Sequence, residues 1–283
     1  MSNKNGMLFI VATPIGNLSD LSARAISTLK EVDLIAAEDT RHSRPLLQHH
    51  GIDQPLQAYH EHNEGTMAER LVERMQAGES IALISDAGTP LISDPGYSLV
   101  RRAREAGIPV SPIPGASALI AGLSVSGLPT DSFTFYGFMP RTSSKRRTVM
   151  AEFMDKTETA IFYESSHRIL AALEDLQAVF PAERKVVVAR ELTKLHETII
   201  NSTVGDICEI IQENPYGQKG EFVVLLEGAP ELKKSDALTV EQKRILTVLL
   251  KSCSVKTASE LAAEITGSKK KLFYQEALRL VDL

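Results

Sequence analysis

The stretch Ser80-Ile-Ala-Leu-Ile-Ser-Asp-Ala-Gly-Thr-Pro-Leu-Ile-Ser-Asp-Pro-Gly96 joins a short apolar run to a loop rich in Gly, Pro, Ser and Asp. Residues 80–84 are typical of a buried strand, and residues 95–106, which end before Gly107, have the apolar spacing of a helix. The same order of Val- and Ile-rich runs and helix-length segments recurs on both sides of this stretch. Repeated alternation of strands and helices predicts a mostly parallel sheet covered by helices.

The predicted strands form two sets, separated by a segment of small and apolar residues near 115–130. The first set is predicted at 7–12, 33–37, 55–59, 80–84 and 109–113. The second set is predicted at 132–137, 158–163, 185–190, 197–201 and 220–227, where the short connection after residue 190 indicates an antiparallel pair. We therefore predict an α/β fold with an N-terminal α/β domain over residues 1–120 and a C-terminal α/β domain over residues 121–230.

A third region follows the second set of strands. Residues 231–238 are typical of a linker. Helices predicted near 240–252, 256–265 and 269–281 would form a small helical module over residues 236–283. From Leu232 onward the tail has ten Lys or Arg against six Asp or Glu, whereas the whole chain has a net charge of -5. The tail is therefore basic and the body acidic, which favours an anionic partner for the tail.

Composition and missing motifs exclude several classes of protein. The 283 residues are 43% hydrophobic and 24% charged, without a membrane-length apolar run, which predicts a cytoplasmic globular protein with no membrane partner. The two widely spaced cysteines indicate neither a zinc knuckle nor a disulfide framework. Neither G-x-G-x-x-G nor G-x-x-x-x-G-K-[ST] occurs, which disfavours NAD(P) oxidoreductases and P-loop NTPases. His60 and His62 could share one side of a strand, but no further ligands can be named, so we expect no metal site.

Three loops that directly follow predicted strands carry the strongest indication of a binding site. They are Ala12-Thr-Pro-Ile-Gly-Asn-Leu18, the loop at 85–96 and Pro112-Ile-Pro-Gly-Ala-Ser-Ala118. Gly and Pro let the backbone approach a ligand closely, and Asp and Ser supply hydrogen bonds. Because the carboxyl ends of parallel strands meet at one edge of a sheet, the three loops predict a small-molecule cleft there.

Other loops after strands are charged. In Glu38-Asp-Thr-Arg-His-Ser43, the two acids either cap a helix or face the cleft. In the second half, the loops at 163–168 and 190–197 again combine acids with bases. Arg141-Thr-Ser-Ser-Lys-Arg-Arg147 gathers four cations, which form either a solvated face or a phosphate-binding surface.

Together these motifs resemble the tetrapyrrole-methylase superfamily, and in particular its members that methylate ribosomal RNA. The resemblance covers essentially the whole chain and is carried by Val11-Ala-Thr-Pro-Ile-Gly-Asn-Leu18, Ala37-Glu-Asp-Thr-Arg-His42, the loop at 85–96, Pro114-Gly-Ala-Ser117 and Arg190-Glu-Leu-Thr-Lys194. It implies a class III S-adenosylmethionine (AdoMet) dependent methyltransferase, with two α/β domains that bind the methyl donor between them. It also implies a homodimer.

The implied activity is AdoMet-dependent 2′-O-methylation of a cytidine in the decoding region of 16S rRNA, with 16S rRNA or the small ribosomal subunit as partner. The basic loop at 141–147 suits phosphate contacts with structured RNA, and the basic helical tail suits either RNA docking or support of the dimer. Two alternatives stay open. An AdoMet-dependent methyltransferase of a small molecule of the tetrapyrrole type would need neither basic region, and a non-catalytic RNA-binding protein would not need the converging loops.

The candidate site residues divide into three groups. A ribose 2′-hydroxyl is a poor nucleophile, so a group must accept its proton, and the candidates are Asp39, Glu38, Lys194 and Glu191. The residues expected to bind AdoMet are Pro14, Gly88, Thr89, Pro90, Ile92, Ser117, Ala118, Tyr163 and Arg190. The residues expected to contact RNA are Arg41, His42, Arg141, Lys145, Arg146 and Arg147.

Overall fold

A computed structural model of the chain describes residues 6–230 and 238–281. The chain forms two compact units, one that ends at Ala229 and one that begins at Pro230. The first unit contains both α/β halves, and the predicted boundary after residue 120 falls within helix α5 (Ala118–Ser126). The predicted linker at 231–238 lies almost entirely outside the described residues. No helix within the described ranges is both long and apolar enough to span a lipid bilayer.

The first sheet consists of five parallel strands in the spatial order β3-β2-β4-β1-β5. In chain order they are β1 Leu8–Val11, β2 Leu34–Ala37, β3 Leu56–Ala58, β4 Ile81–Ile84 and β5 Val110–Ile113. β2 and β4 are buried along their whole length, because helices cover both faces of the sheet. These strands therefore appear in the sequence as unbroken apolar runs, and all five predicted strands are confirmed with slightly shorter bounds.

The helices of the first half connect these strands. They are α1 Ala23–Glu31, α2 Thr40–His49, α3 Glu64–Gln76 and α4 Tyr97–Glu105, and a short 3₁₀ helix, Leu18–Asp20, precedes α1. The side chains of Ser22 and Asp39 cap α1 and α2 by accepting hydrogen bonds from the N–H groups of Ala25 and Arg41 in the first turns. Since each helix returns the chain to the same end of the sheet, the loops that follow the strands gather along one edge.

The second sheet has the order β6-β7-β10-β8-β9. Its strands are β6 Phe133–Phe138, β7 Thr159–Ser165, β8 Lys185–Arg190, β9 Thr198–Thr203 and β10 Glu221–Leu226. Only β6 and β7 run parallel, while β10 is antiparallel to both β7 and β8, and β9 is antiparallel to β8. The antiparallel pair is confirmed, but the expectation of a mostly parallel sheet is wrong for this half, because an apolar run shows burial and not strand direction.

Helix α5 joins the two halves and was not predicted. It is apolar on all sides, so the sequence lacks the periodic polar face that marks a surface helix. Its Leu119 and Leu123 pack on the second sheet against Ile161 and Val223, and Ile15 from the first half joins the same cluster. The remaining helices of this half, α6 Ser143–Ala151, α7 Ile169–Val179 and α8 Ile207–Glu213, pack in the second core.

Strand β6 contains a β-bulge that changes the direction of one side chain. Phe135 pairs with Ile161, but Phe138 pairs with Tyr163, so β6 has one extra residue between the two pairs. Gly137 lies at this point with a φ of +66°, a conformation that glycine adopts without strain. Because of the extra residue, Phe135 and Phe138 lie on the same face, where both rings contact Tyr163 at centroid distances of 4.8 and 5.6 Å.

The second unit is a small helical module. It consists of α9 Val240–Leu250, α10 Val255–Thr266 and α11 Lys270–Val281, which confirms the three predicted helices. Thr239 and Gln242 form a reciprocal capping box at the start of α9. Its core contains Leu246, Ala258 and Phe273, which gives this unit an apolar centre of its own.

Candidate active site

The three loops at the carboxyl edge of the first sheet are hydrogen-bonded to one another. The Thr13 N–H donates to the Gly88 carbonyl at 2.8 Å, and the Gly88 N–H donates back to the Thr13 carbonyl at 3.1 Å. The Thr89 hydroxyl donates to the Ala116 carbonyl at 3.1 Å. Gly88 has a φ of +83°, and a Cβ there would lie 3.3 Å from Ile15, so the position favours glycine. The predicted convergence of these loops is confirmed.

A cleft of about 330 Å³ lies between this edge and the second sheet, within the roughly 300–1,000 Å³ that is common for small-molecule sites. The first half contributes the segments 86–89 and 92–94 with Ile15 and Glu38. The second half contributes Phe138 and the segments 163–165 and 221–223, and the start of α5 closes the wall between them. The cleft therefore has one wall from each half of the first unit.

The wall from the first half carries three carboxylates. The Asp86 N–H donates to Glu38 Oε2 at 3.4 Å, and the Asp39 N–H donates to Asp86 Oδ1 at 3.1 Å. Burial raises the pKa of Glu38, and the neighbouring negative charges of Asp86 and Asp39 add to this effect. Burial, together with the charges of Glu38 and Asp86, raises the pKa of Asp94 to about 6. This wall can attract a cation and, through Glu38 and Asp94, accept a proton.

Asp39, one of the four predicted proton acceptors, is engaged elsewhere. It caps α2 by accepting a hydrogen bond from the Arg41 N–H at 2.8 Å, and its other oxygen pairs with the Arg41 guanidinium at 2.8 Å. Hydrogen bonds from Arg41 lower the pKa of Asp39 to about 2. A carboxylate with such a low pKa is a weak base. Of the two alternatives for Asp39, the structure favours the helix cap.

Lys194 and Glu191 form an ion cluster with Glu221. Lys194 Nζ lies 2.8 Å from Glu191 Oε1 and 2.8 Å from Glu221 Oε2. Burial disfavours the charge of Lys194, but its hydrogen bonds to the two carboxylates outweigh burial and raise its pKa. Lys194 therefore stays protonated and cannot act as a base. A side chain at Gly16 would collide with Lys194, so the loop after β1 lies directly on this cluster.

The second wall is mainly aromatic and apolar but includes two acids, the buried Glu164 and the exposed Glu221. The Tyr163 hydroxyl accepts a hydrogen bond from the Leu119 N–H at 3.1 Å, which ties this wall to the start of α5. Burial raises the pKa of Tyr163, so its hydroxyl stays protonated. Phe138 is 56% exposed, an unusual state for a phenylalanine that lines a cleft. Glu164 follows Tyr163 in β7, and its buried side chain pairs with Arg168 at 2.7 Å.

The structure separates the predicted AdoMet-binding residues into two groups. Those that lie in the cleft wall are Gly88, Thr89, Ile92, Ser117, Ala118 and Tyr163. Pro14 and Pro90 are buried within their loops, outside the wall. Arg190 also lies outside it, because its Nε donates to the Lys219 carbonyl at 2.6 Å and its Nη1 donates to the His196 carbonyl at 3.2 Å. We therefore assign Arg190 a structural role at the turn between β8 and β9 in place of the predicted cofactor contact.

Arg146 requires a correction among the predicted RNA-binding residues. Its side chain is 3% exposed and pairs with the equally buried Asp175 at 2.6 Å. Further nitrogens of the guanidinium donate to the carbonyls of Pro140 and Ala171. A phosphate could not reach this group without breaking all of these bonds. Arg146 thus fixes α6 to α7, and the expectation of an RNA contact is wrong.

The other predicted RNA-binding residues are exposed: Arg41, His42, Arg141, Lys145 and Arg147. Two of them have acidic partners, since Arg41 pairs with Asp39 and Arg147 lies 2.6 Å from Asp175. Arg141 and Lys145 have no ion pair within the part of the chain that the structure describes. The free positive charge of this loop therefore comes mainly from these two residues.

Among the cleft residues that were not selected from the sequence, four are acidic or aromatic side chains discussed above: Asp86, Asp94, Phe138 and Glu164. Asp86 and Asp94 lie in the quoted loop at 85–96, where their Asp-rich context could have indicated them. Glu164 belongs to the charged loop at 163–168, where a pattern of mixed acids and bases does not distinguish a cleft residue from the partner of a nearby arginine. Phe138 could not be found from its pattern, because the bulge that turns it into the cleft is a property of strand pairing.

A family model described as Tetrapyrrole (Corrin/Porphyrin) Methylases matches residues 7–208, and one described as RsmI C-terminal HTH domain matches residues 236–280. The chain therefore belongs to the tetrapyrrole methylase family and is an AdoMet-dependent methyltransferase. The predicted fold class, enzyme class and methyl donor are confirmed.

Relatives with about 50% sequence identity have a name that is more specific than the family description. A Haemophilus influenzae protein named ribosomal RNA small subunit methyltransferase I is 49% identical over 278 residues and is matched over 98% of both chains. A Pseudomonas aeruginosa protein of the same name is 50% identical over 274 residues, 97% of each chain. Among solved structures, a diphthine synthase aligns with a TM-score of 0.59 at 16% identity, over 78% of this chain and 90% of that chain, which shows a shared fold.

Proposed function

We propose that this protein transfers the methyl group of AdoMet to the ribose 2′-oxygen of a cytidine in the decoding region of 16S rRNA. The names of its relatives support ribosomal RNA of the small subunit as substrate. The observation that carries the proposal is a single cleft whose acidic wall suits a cation, and whose aromatic wall leads within three residues of Phe138 into the exposed basic loop. The cytidine and the 2′-oxygen rest on the sequence motifs.

The residues of the cleft fit AdoMet. Its sulfonium and ammonium groups are positive, and Glu38, Asp86 and Asp94 supply the matching negative potential. Its less polar portions can lie against Ile15 and Leu192, which belong to the apolar cluster that joins the halves. When bound, AdoMet supplies an electrophilic methyl group.

The carboxylates of the first wall remove the proton of the ribose 2′-hydroxyl. A base is most effective when its pKa lies near the working pH, and burial together with the charges of Glu38 and Asp86 raises the pKa of Asp94 to about 6. Asp94 therefore accepts the proton of the ribose hydroxyl. Burial and, after it, the negative charge of Glu38 keep the pKa of Asp94 above its ordinary value. Ile15 and Leu192 line the same cleft with apolar side chains.

The exposed cations of the second half and of the helical module bind the RNA. Arg141 and Lys145 are the unpaired cations of the loop at 141–147 among the described residues. In the helical module, Lys251, Lys256, Lys269 and Lys271 are exposed. Contacts of this kind position a protein on phosphates without selecting a base.

A homodimer in the cytoplasm completes the proposal. Ile120 and Val125 of α5 are each about half exposed, on a helix that has no polar face. An apolar helix surface of this kind is typical of a subunit interface. Sedimentation of the purified protein measures the dimer directly.

The proposal is tested by incubating the purified protein with labelled AdoMet and either small ribosomal subunits or naked rRNA. We expect label at one cytidine, whose ribose then resists alkaline cleavage. Transfer to a tetrapyrrole without transfer to RNA would identify the small-molecule alternative. Salt-sensitive RNA binding without any transfer would identify a binding protein and overturn the proposal.

A further inference from the structure

Phe138 lies in the cleft wall with more than half of its surface open. The chain has nine phenylalanines, and Phe138, at 56%, is the most exposed of them. A single exposed phenylalanine on an outer surface is common, but this ring lines the cleft between the two halves. Apolar surface in contact with water is unfavourable, so the position favours a ligand that covers the ring when the site is occupied.

The bulge in β6 holds the ring in this place. The extra residue brings Phe138 onto the same face as Phe135 and Tyr163, and Gly137 allows the bulge with its φ of +66°. Tyr163 contacts the Phe138 ring edge-on, and the Tyr163 hydroxyl is itself held by the Leu119 N–H. The ring is therefore fixed before a ligand arrives, which lowers the entropic cost of binding on it.

The ring lies between the carboxylates of the first wall and the basic loop. A Cβ at Gly137 would lie 3.3 Å from Ser93 Oγ, so the bulge contacts the loop of the first half directly before Asp94, the assigned proton acceptor. In the other direction, the chain reaches the exposed Arg141 three residues after Phe138. A nucleotide whose ribose meets Asp94 and whose phosphates meet the basic loop would therefore place its base beside the ring.

We propose that Phe138 is the stacking platform for the base of the nucleotide whose ribose is methylated. The inference rests on the proposed function and extends it from the ribose to the base. Aromatic side chains stack on unpaired bases of RNA. Stacking on a fixed ring orients the base and, through the glycosidic bond, the ribose, so that its 2′-oxygen faces the methyl donor. Because every base has an aromatic face, this contact positions the nucleotide without selecting cytosine.

The test compares two forms of small-subunit rRNA, naked or assembled into subunits as the protein requires. One form carries cytidine at the target position, and the other carries there a ribose that keeps its 2′-hydroxyl and has hydrogen in place of the base. With the wild-type protein, kcat/KM should be at least about fivefold lower for the RNA without the base, the loss expected from one stacked base. Phe138→Leu should lower kcat/KM for the cytidine RNA by at least about fivefold and leave kcat/KM for the other RNA unchanged.

The combination of altered protein and altered RNA isolates the stacking contact. If Phe138 acted only on the structure of the protein, Phe138→Leu would lower kcat/KM for both RNAs by the same factor, and the inference would be wrong. Phe138→Tyr keeps an aromatic face and should retain most of the wild-type rate. Where transfer to the RNA without the base is too slow to measure, the Kd of each RNA for each protein gives the same comparison.

Phe133→Leu is the matched control. Phe133 begins the same strand and is 39% exposed, but it lies outside the cleft wall. The same change of side chain at this position should therefore leave kcat/KM for both RNAs unchanged. A loss in Phe133→Leu equal to that in Phe138→Leu would show that the exposed rings of β6 act without a specific base contact.

Two further measurements identify what covers the ring. Calorimetry should give similar AdoMet affinities for the wild-type protein and Phe138→Leu, whereas a large loss would place the adenine of AdoMet on the ring. Removal of the base from either neighbouring nucleotide should leave the effect of Phe138→Leu intact. If that effect disappears only when a neighbouring base is absent, the ring stacks on the neighbour. Either contrary result would overturn the inference.

The outcomes also separate this inference from the proposed function. If neither RNA accepts a methyl group, the proposed function fails. If the wild-type protein methylates both RNAs equally well, the proposed function stands and the stacking platform is refuted. This last comparison needs no variant, so it can refute the inference even if a substitution prevents folding.

Discussion

The two walls of the cleft carry opposite chemistry. The wall from the first sheet presents Glu38, Asp86 and Asp94 on loops that are hydrogen-bonded to one another. The wall from the second sheet presents mainly aromatic and apolar groups, with Glu221 paired to Lys194, and its strand β6 continues into a basic loop. Under the proposed function, the acidic wall holds the cationic donor and removes a proton, while the other half meets the anionic RNA. The difference separates two tasks that would otherwise compete for the same charges.

Within each region, the hydrogen-bond partners of a charged group decide its role. Glu38 and Asp94 lie among other acids, and both have a raised pKa, whereas Asp39 has Arg41 beside it and a lowered pKa. In the basic loop, Lys145 is free among the described residues, whereas Arg146, its neighbour in sequence, is buried. Residues next to each other in the sequence thus differ completely in chemistry.

The largest effect is expected at the acidic wall. Asp94→Asn removes the assigned base and should lower kcat for methyl transfer by roughly 100-fold or more, the usual contribution of a general base. The affinity for AdoMet should change less than kcat does, because Glu38 and Asp86 still supply negative charge in the variant. Single-turnover transfer of label and calorimetry measure the two quantities. Transfer at the wild-type rate would remove Asp94 from the mechanism.

The pH dependence sharpens the same assignment. Asp94 accepts a proton only when it is ionised, and its pKa of about 6 lies above its ordinary value. The wild-type kcat should therefore rise with pH through about 6 and level off above it. In Asp94→Asn this rise should disappear from the residual rate. A rise that persists in the variant would identify Glu38, whose pKa is also raised, as the base.

The next effect concerns stability in the other half. Arg146→Met leaves Asp175 buried without its main partner, and we expect the free energy of unfolding to fall by about 3 kcal/mol, as is typical when a buried ion pair is broken. Arg147→Met is the matched control, because Arg147 is half exposed and contacts the same carboxylate. Chemical denaturation measures both variants. Full stability together with weaker RNA binding in Arg146→Met would restore the original expectation.

A smaller effect is expected from the exposed cations of the same loop. Arg141→Ala and Lys145→Ala should each weaken RNA binding severalfold without lowering the thermal midpoint. If each residue binds one phosphate, the slope of log Kd against log salt should decrease by about one in each variant. Lys30→Ala, an exposed lysine at the end of α1, is the control. Equal weakening by the control would show that only net charge matters.

The smallest effect is expected from Asp39→Asn. Asparagine caps helices about as well as aspartate, and the ion pair with Arg41 that this variant removes is exposed to solvent. Methyl transfer and stability should therefore remain close to wild type. A loss as large as that of Asp94→Asn would return Asp39 to the catalytic group, and the comparison between paired and unpaired acids would fail.

Local signals account for the elements that the sequence predicted well. The strands around 81–84 and 185–190 are short apolar runs bounded by Gly, Pro or charged residues, and helix α4 ends before Gly107. Helix α5 was not predicted from the sequence because it has no polar face. The antiparallel direction of β10 was not predicted because strand pairing depends on contacts between residues distant in the sequence.

The sequence predicted which loops form the candidate site, but it did not predict which acids in those loops have a raised or lowered pKa. The sequence placed Gly88, Thr89 and Tyr163 at the cleft, because the loops that follow parallel strands share one edge. It could not distinguish Asp94 from Asp39, since both are acids in such loops. Burial and neighbouring charge separate the two, and these quantities exist only once the loops lie together.

The sequence by itself determined the family, the order of strands and helices, and the edge of the sheet that carries the cleft, because these depend on local patterning and on motifs that are contiguous in the chain. The tertiary structure decided which acids stay unpaired, which arginine is buried with Asp175, and how the bulge at Gly137 turns Phe138 toward Tyr163. Each of these depends on groups brought together from distant positions in the chain, and the free energy of a charge or ring is set by its neighbours in space.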